Sequence, residues 1–144
     1  MSLDDLYREI ILDHYRQPHN FGSLAGATAT THLKNPSCGD EIDLELRVNN
    51  GRIEAAAFRG QGCSISQASA SMMTDAIRGK TIPEVREILA AFRRLMHGND
   101  PQMDLGDLEA LAGVARFPVR IKCALLPWEA LEKSLRPADG PAGK

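Results

Sequence analysis

The chain has 144 residues, of which 43% are apolar and 25% are charged, and its formal net charge is -2. This length fits one domain with a substantial core, and the composition is that of an ordinary globular protein. A net charge so close to zero gives no reason to expect nucleic acid or a membrane surface as a partner, and no apolar run approaches the roughly 20 residues that a membrane span requires.

The first predicted element is a helix. Apolar side chains recur at steps of three and four residues from Leu3 to Ile11, and His14 continues the same face. Ser2 is a suitable N-cap, and the helix should end before Pro18. The acidic residues of this start do not fit the basic beginning of a secretory signal peptide, so we expect no export.

Three strands should follow. The segments ATATTHLKN, IDLELRV and RIEAAAFRG are short and rich in strand-forming residues, and Asn49-Asn50-Gly51 separates the last two. An Asn-Gly pair between two such runs is typical of a β-hairpin. The pattern therefore predicts a three-stranded antiparallel meander.

The second half of the chain is predicted to be helical. One helix should follow Cys63, capped by Ser64 or Ser66 and ended by Gly79, and another should begin at Ile82-Pro83. A short helix is expected from Asp104 to Ala112.

The last predicted helix starts near Ala124, which would leave Pro127 in its first turn and Cys123 at the start of the helix. We predict a single domain over residues 1–136 and a flexible tail over residues 137–144.

The three cysteines, Cys38, Cys63 and Cys123, are the candidate functional residues. An odd number of dispersed thiols argues against a secreted disulfide framework and favours the cytoplasm. Cys38 precedes a predicted strand, whereas Cys63 and Cys123 are each predicted at the start of a helix, where the helix dipole favours anionic ligands.

With Asp40, these cysteines offer three sulfur donors and one oxygen donor, a complete set for tetrahedral zinc or a cluster iron. Gly39 permits the backbone turn that would bring Cys38 and Asp40 to one ion. The spacing alone is weak evidence, because paired cysteines of the zinc-ribbon type are absent from the sequence.

A role for each thiol as a small buried apolar residue stays open. Cysteine-protease chemistry would need a histidine base, and none of the four histidines lies beside a cysteine in the sequence.

Four segments of the chain carry a further resemblance: DHYRQPHNFGSL, NPSCGDEIDLELRV, FRGQGCSISQASASMMTDAIRGK and FPVRIKCALLPWEALE. Together they resemble the NifU/IscU/SufU family of iron–sulfur cluster assembly proteins, and most closely its SufU branch, in order from about Leu6 to Leu135.

The resemblance implies an α+β fold of the SufE/NifU-like kind, in which a small three-stranded antiparallel sheet packs against helices and the cysteine site lies at one exposed end. It also implies that Cys38, Cys63 and Cys123 are sulfur and metal ligands and that Asp40 completes the site. Arg120 matches a basic residue near the site that would offset the charge of the ligands, although an ordinary surface arginine is the alternative.

Two features distinguish the branches of this family. Members similar to IscU carry histidine before the third cysteine, whereas this chain has Lys122, which cannot ligate while it is protonated. The segment from Lys80 to about Leu111 is also longer than in those members. Both features favour the SufU branch.

The function that this resemblance implies is that of a sulfur carrier or scaffold rather than a stand-alone enzyme. Membership of the SufU branch implies a zinc-dependent acceptor of persulfide sulfur from a SufS-type cysteine desulfurase, which passes the sulfur to downstream cluster assembly proteins. Cys38, in a loop with proline and glycine, is the expected acceptor, with Cys123 as the alternative. An IscU-like scaffold for a transient [2Fe–2S] cluster or iron, and a purely structural zinc domain, are the other hypotheses.

Overall fold

The computed structural model describes residues 2–36 and 39–139. Its elements in chain order are α1 (Leu3–Arg16), β1 (Ala29–Lys34), β2 (Glu41–Asn49), β3 (Arg52–Gln61), α2 (Ser64–Ile77), α3 (Ile82–Met96), a 3₁₀ helix (Gly106–Arg116) and α4 (Pro118–Asp139). No helix among the described residues combines the length and the apolar character needed to cross a membrane.

The sheet is a meander with strand order β1-β2-β3, and both strand pairs are antiparallel. Asn50 and Gly51 form the two-residue turn between β2 and β3, and both have positive φ angles, of 55° and 73°. Two consecutive positive φ angles are what a type I′ hairpin turn requires, which explains the Asn-Gly pair. The predicted α+β class and the three-stranded antiparallel sheet are confirmed.

One face of the sheet packs against helices. Along β2, the buried residues Ile42, Leu44 and Leu46 alternate with more exposed polar ones. Helix α4 packs against β1 and β2, while α2 packs against β3. The core therefore lies between the sheet and these two helices and extends to the buried faces of α3 and the 3₁₀ helix, while α1 packs on α2.

Helix α2 is buried around most of its circumference, and its interior positions include hydroxyl residues. Ser69 Oγ donates to the carbonyl of Ala124 at 2.6 Å and accepts from Trp128 Nε1 at 3.1 Å. Ser71 Oγ accepts from the backbone N–H of His19 at 2.7 Å. Because each of these buried hydroxyls has a partner on another element, the polar residues of α2 fix its position against α4 and the segment after α1.

Local signals placed the first three helices correctly, but the predicted cap of α2 was wrong: its N-cap is Cys63, not Ser64 or Ser66. Ser2 caps α1 in a capping box with Asp5, and Thr81 and Glu84 form the same arrangement at the start of α3, where Pro83 lies in the first turn. The side-chain oxygens of the caps satisfy backbone N–H groups that have no partner within the helix.

The predicted start of the last helix was wrong. Helix α4 begins at Pro118, not near Ala124, because a proline is tolerated in a first turn, where its missing N–H group needs no partner. Pro127 therefore lies inside the helix, and Cys123 lies in its second turn instead of at its start. The short helix predicted from Asp104 to Ala112 is also shifted, to Gly106–Arg116, and has 3₁₀ form.

Helix α4 continues to Asp139, so the backbone of residues 137–139 is helical where the flexible tail was predicted to begin. Residues 140–144 of that predicted tail lie outside the described residues. The domain boundary at residue 136 stays a prediction.

Candidate metal centre

Three of the four predicted ligands meet in the fold. Asp40, Cys63 and Cys123 each offer a donor atom within 4.8 Å of the other two. Asp40 precedes β2, Cys63 precedes α2, and Cys123 belongs to α4, so three separate elements converge here. The structure thus brings together residues that lie far apart in the sequence.

The burial of this cluster differs from the exposed site that was expected. Asp40 is 1% exposed and Cys123 is 3% exposed, while Cys63 is partly exposed. The location at an exposed end is therefore not confirmed for these three residues. A buried carboxylate beside two thiols needs strong compensation, which hydrogen bonds or a bound cation can supply.

Asp40 is held by its own loop and by Cys63. The backbone N–H of Asn35 donates to the Asp40 carbonyl at 2.8 Å, and the Gly39 N–H donates back to the Asn35 carbonyl at 2.9 Å. Gly39 has a φ angle of 75°, which favours glycine. The positive φ of Gly39 precedes Asp40, which lies in the cluster, whereas the predicted turn of Cys38 toward the same ion stays a prediction.

Cys63 is the N-cap residue of α2. Its backbone N–H donates to Asp40 Oδ1 at 3.0 Å, and its Sγ lies 3.8 Å from Asp40 Oδ2 and 3.9 Å from Ser66 Oγ. Ser66 is fixed in turn by a hydrogen bond to the Cys63 carbonyl at 3.1 Å. The start of a helix also carries a partial positive charge, which favours anionic ligands at this position.

Gly62 allows the Asp40 carboxylate and the Ser66 hydroxyl to lie close to the backbone before α2. A Cβ atom at this position would lie 2.3 Å from Asp40 Oδ1 and 2.7 Å from Ser66 Oγ. Any side chain at residue 62 would therefore push the carboxylate or the hydroxyl out of place. The sequence showed glycines beside Cys63, but only the structure reveals that the Asp40 carboxylate occupies the space.

Cys123 approaches the cluster from the second turn of α4. Its Sγ lies 3.7 Å from the carbonyl of Val119, one turn earlier in the same helix. The hydrogen bonds from Ser69 to Ala124 and Trp128 join α2 and α4 immediately beyond Cys123. They fix the relative position of the helices that carry the two described thiols.

The other two predicted site residues, Cys38 and Arg120, are not among the three that meet in the cluster. Cys38 lies outside the described residues, between Pro36 and Gly39, so its position as a ligand stays a prediction. Arg120 is exposed in the first turn of α4 and lines a cavity of about 610 Å³ that Ser64, the neighbour of Cys63, also lines. This location is compatible with a basic residue near the ligands.

The donor set fits zinc. Zinc bonds of about 2.3 Å to sulfur and about 2.0 Å to oxygen place neighbouring donors of a tetrahedral site between about 3 and 4 Å apart. The 3.8 Å between Cys63 Sγ and Asp40 Oδ2 lies in this range, and Cys123 supplies a further thiol. Thiolates with one carboxylate form a mixed set that zinc accepts well.

Residues 6–124 match the family model described as the NifU-like N-terminal domain. The chain belongs to this family. Membership confirms the resemblance that the four sequence segments indicated.

Named members of the NifU-like family are similar over nearly the whole chain. The "Zinc-dependent sulfurtransferase SufU" of Bacillus subtilis is 48% identical over 141 residues, which cover 96% of this chain and 95% of that protein. The "Iron-sulfur cluster assembly scaffold protein IscU" of Streptococcus pyogenes serotype M1 is 45% identical over 137 residues, which cover 94% of this chain and 86% of that protein.

A crystal structure of FiSufU, from Fervidobacterium islandicum AW-1, supports the fold. It is 34% identical to this chain, with a TM-score of 0.80 over 93% of this chain and 99% of that chain. The three-stranded sheet with its helices is therefore the architecture of a solved NifU-like protein.

Proposed function

We propose that this protein is a zinc-dependent sulfur carrier in iron–sulfur cluster assembly, accepting persulfide sulfur from a cysteine desulfurase of the SufS type and passing it to downstream assembly proteins. The observation that carries the proposal is the convergence of Asp40, Cys63 and Cys123. The near full-length similarity to a protein named zinc-dependent sulfurtransferase supports the choice of chemistry.

The residues that would hold zinc are Asp40, Cys63, Cys123 and Cys38. When bound, the ion would favour the thiolate forms of the cysteines at neutral pH, and thiolates are the nucleophilic forms of sulfur. Asp40, tied to the Cys63 backbone, keeps one oxygen donor oriented toward the thiols. Arg120 would offset part of the negative charge of the ligand set.

Cys38 is the proposed sulfur acceptor. Its thiolate attacks the outer sulfur of the desulfurase persulfide, so that a new sulfur–sulfur bond forms on Cys38. The original sulfur–sulfur bond breaks at the same time, and the desulfurase cysteine leaves as a thiolate. The exchange balances without an external oxidant or reductant, and Cys38 carries the transferred sulfur as a persulfide.

The same thiols make the cytoplasm the proposed location. Sulfur exchange needs free thiols, and an oxidising compartment would convert them to disulfides.

The test combines a desulfurase assay with location of the transferred sulfur. With a thiol reductant present, zinc-loaded protein should stimulate sulfide release from cysteine by the desulfurase. In a parallel reaction without reductant, mass spectrometry after alkylation should find one extra sulfur atom on Cys38. Cys38→Asp keeps an anionic donor but removes the thiol, so this variant should retain zinc and lose stimulation. Ser37→Ala, which changes the adjacent residue, is the matched control.

Two results would overturn this assignment. Normal stimulation by Cys38→Asp would mean that Cys38 does not accept sulfur, and extra sulfur found on Cys123 would transfer that role to the buried thiol. Loss of stimulation together with loss of zinc would trace the defect to the metal, and the alkylation pattern of the wild-type protein would then decide the acceptor.

A second candidate function is an IscU-like scaffold for a transient [2Fe–2S] cluster or iron, which the 45% identity to a protein named IscU favours. Lys122 counts against it, because this exposed residue stands where IscU-like members carry histidine. Metal analysis separates the two: the sulfur carrier should be colourless with about one zinc at the thiol centre. Stoichiometric iron with visible charge-transfer bands would favour the scaffold.

A further inference from the structure

A second group of metal-ligating side chains lies outside the thiol centre. His14, His19 and Asp75 each offer a donor atom within 4.8 Å of the other two. His14 belongs to α1, His19 follows that helix, and Asp75 lies near the end of α2. Asp75 is 12 residues beyond Cys63, and at a rise of 1.5 Å per residue the two clusters are about 18 Å apart along α2.

His14 is buried, being 4% exposed, and both of its ring nitrogens have partners. Nε2 lies 3.0 Å from Asp107 Oδ2, and Nδ1 lies 2.7 Å from Ser71 Oγ. Because a carboxylate can only accept, the tautomer that fits these contacts carries its proton on Nε2 and accepts a hydrogen bond from the Ser71 hydroxyl at Nδ1. A histidine that donates one N–H to a carboxylate is the arrangement found in metal sites, and an ion bound at Nδ1 would take the place of the Ser71 hydroxyl on that nitrogen.

The other two donors are accessible to solvent. The side chain of His19 is 52% exposed and that of Asp75 is 41% exposed. His19 Nδ1 is hydrogen-bonded to Asp75 Oδ2, while Asn20 Nδ2 donates to Asp75 Oδ1 at 2.9 Å. His19 also lines an open cavity of about 460 Å³, together with Asp13 and Arg16.

The charged groups in hydrogen-bond contact with the two histidines are acidic, while the cavity beside His19 is lined by one acidic and one basic residue, Asp13 and Arg16. Asp107 and Asp75 are in direct hydrogen-bond contact with the two histidines. The nearby guanidinium of Arg78 is directed to Asn20 Oδ1, at 3.1 Å, and thus interacts with an amide oxygen. Two carboxylates therefore accompany the two imidazoles.

The geometry points to a second metal site, in which His14, His19 and Asp75 bind a divalent transition-metal ion and Asp107 orients His14. Two imidazoles with one carboxylate suit zinc and ferrous iron and leave coordination positions open for water. This donor set is harder than the thiol-rich centre, so the two sites have different preferences among metals. Since its ligands come from both sides of the α1–α2 contact, the ion would also tie these helices together.

The experiment counts zinc bound to tag-free full-length protein by equilibrium dialysis. Wild-type protein should bind one equivalent more than His19→Ala or Asp75→Asn, whose substituted side chains are exposed and carry little risk to folding. Asp107→Asn should lower the affinity for the extra zinc ion by about 10-fold to 100-fold, which is the usual effect of removing a hydrogen-bond partner of a ligating histidine. His32→Ala is the matched control, because His32 pairs with Asp43 on the surface at 2.8 Å.

Cobalt spectra identify the ligands independently of zinc counting. The wild-type spectrum minus the His19→Ala spectrum should contain weak visible bands without sulfur-to-cobalt charge transfer, since only nitrogen and oxygen donors are lost. Equal zinc content in wild type, His19→Ala and Asp75→Asn would overturn the proposal. Sulfur-to-cobalt charge-transfer bands in the difference spectrum would also overturn it. An equal loss of bound zinc in His32→Ala would do the same. None of these outcomes depends on sulfur transfer, so the result is separate from the test of Cys38.

Discussion

The backbone N–H of Cys63 donates to Asp40 Oδ1 at 3.0 Å, which ties the carboxylate before β2 to the N-cap residue of α2. One oxygen of the carboxylate is thereby fixed by the backbone, while Oδ2 faces the Cys63 thiol. A ligand held in this way loses little conformational freedom when a metal binds, which favours affinity.

The first prediction concerns the charge of Asp40. Asp40→Asn keeps the size of the side chain but removes the negative charge, so zinc affinity should fall by at least about 10-fold, as it does even when outer partners of a site are disturbed. Competition with a chromophoric chelator measures the change. Asp43→Asn, in a partly exposed residue of β2, is the control. Unchanged zinc affinity in Asp40→Asn would remove Asp40 from the metal centre.

The second prediction concerns Gly62. In Gly62→Ala the new Cβ would lie 2.3 Å from Asp40 Oδ1, so the loop must shift and the unfolding free energy should fall by about 1–3 kcal/mol. Zinc affinity should fall as well, because Asp40 moves. Urea denaturation and the chelator assay provide the two measurements. Gly113→Ala is the control, since its nearest neighbour is the flexible end of Arg116, 3.4 Å away; an equal loss of stability in both variants would contradict the prediction.

The parts of the fold that were correctly predicted rest on local signals. Ser2 caps α1, and Asn50-Gly51 forms the turn of the hairpin, because a cap and a tight turn involve only a few consecutive residues. The start of α4 was missed because Pro118 and Pro127 are equally acceptable first-turn prolines in the sequence. Helix α4 packs against α2 and the sheet, and the sequence does not display such contacts.

The candidate site was also predicted only in part: the ligands were predicted, but the long-range hydrogen bonds around them were not. The resemblance of four segments assigned Asp40, Cys63 and Cys123 to one site, which spacing alone could not do. The roles of Ser69 and His14 were not predicted, because their partners are 55 or more residues away. Long-range hydrogen bonds leave no periodic pattern in a sequence, so only the folded structure reveals them.

The third prediction concerns Ser69, which bridges α2 and α4. Ser69→Ala leaves the buried Nε1–H of Trp128 without this acceptor, at a cost of about 1–3 kcal/mol in unfolding free energy. Adding Trp128→Ala removes the unsatisfied donor, so the two losses should be less than additive in a double-mutant cycle. Urea denaturation of the zinc-free variants measures the cycle. Strict additivity would show that the hydrogen bond contributes nothing.

The fourth prediction concerns the ion pair between α3 and α4. Arg93 Nη2 lies 2.8 Å from Glu132 Oε1, and Nη1 lies 3.3 Å from Oε2. The hydrogen bonds from Arg93 hold the pKa of Glu132 below its ordinary value of 4.5, while the same contact raises the pKa of Arg93. The depressed pKa of Glu132 means that the pair stabilises the fold fully above pH 4.5 and that this contribution is lost as the pH falls through the folded-state pKa.

Glu132→Gln should therefore lower the unfolding free energy at pH 7 and have progressively less effect in more acidic solution. The two side chains are 37% and 33% exposed, so solvent screening limits the difference at pH 7 to about 0.2–1 kcal/mol. Urea denaturation of both proteins from pH 7 to below the folded-state pKa of Glu132, at low and high salt, measures this difference in unfolding free energy. Glu87→Gln, in an exposed residue of α3, is the control. A difference that persists below the folded-state pKa of Glu132 would have to come from packing, because the wild-type carboxyl is then uncharged.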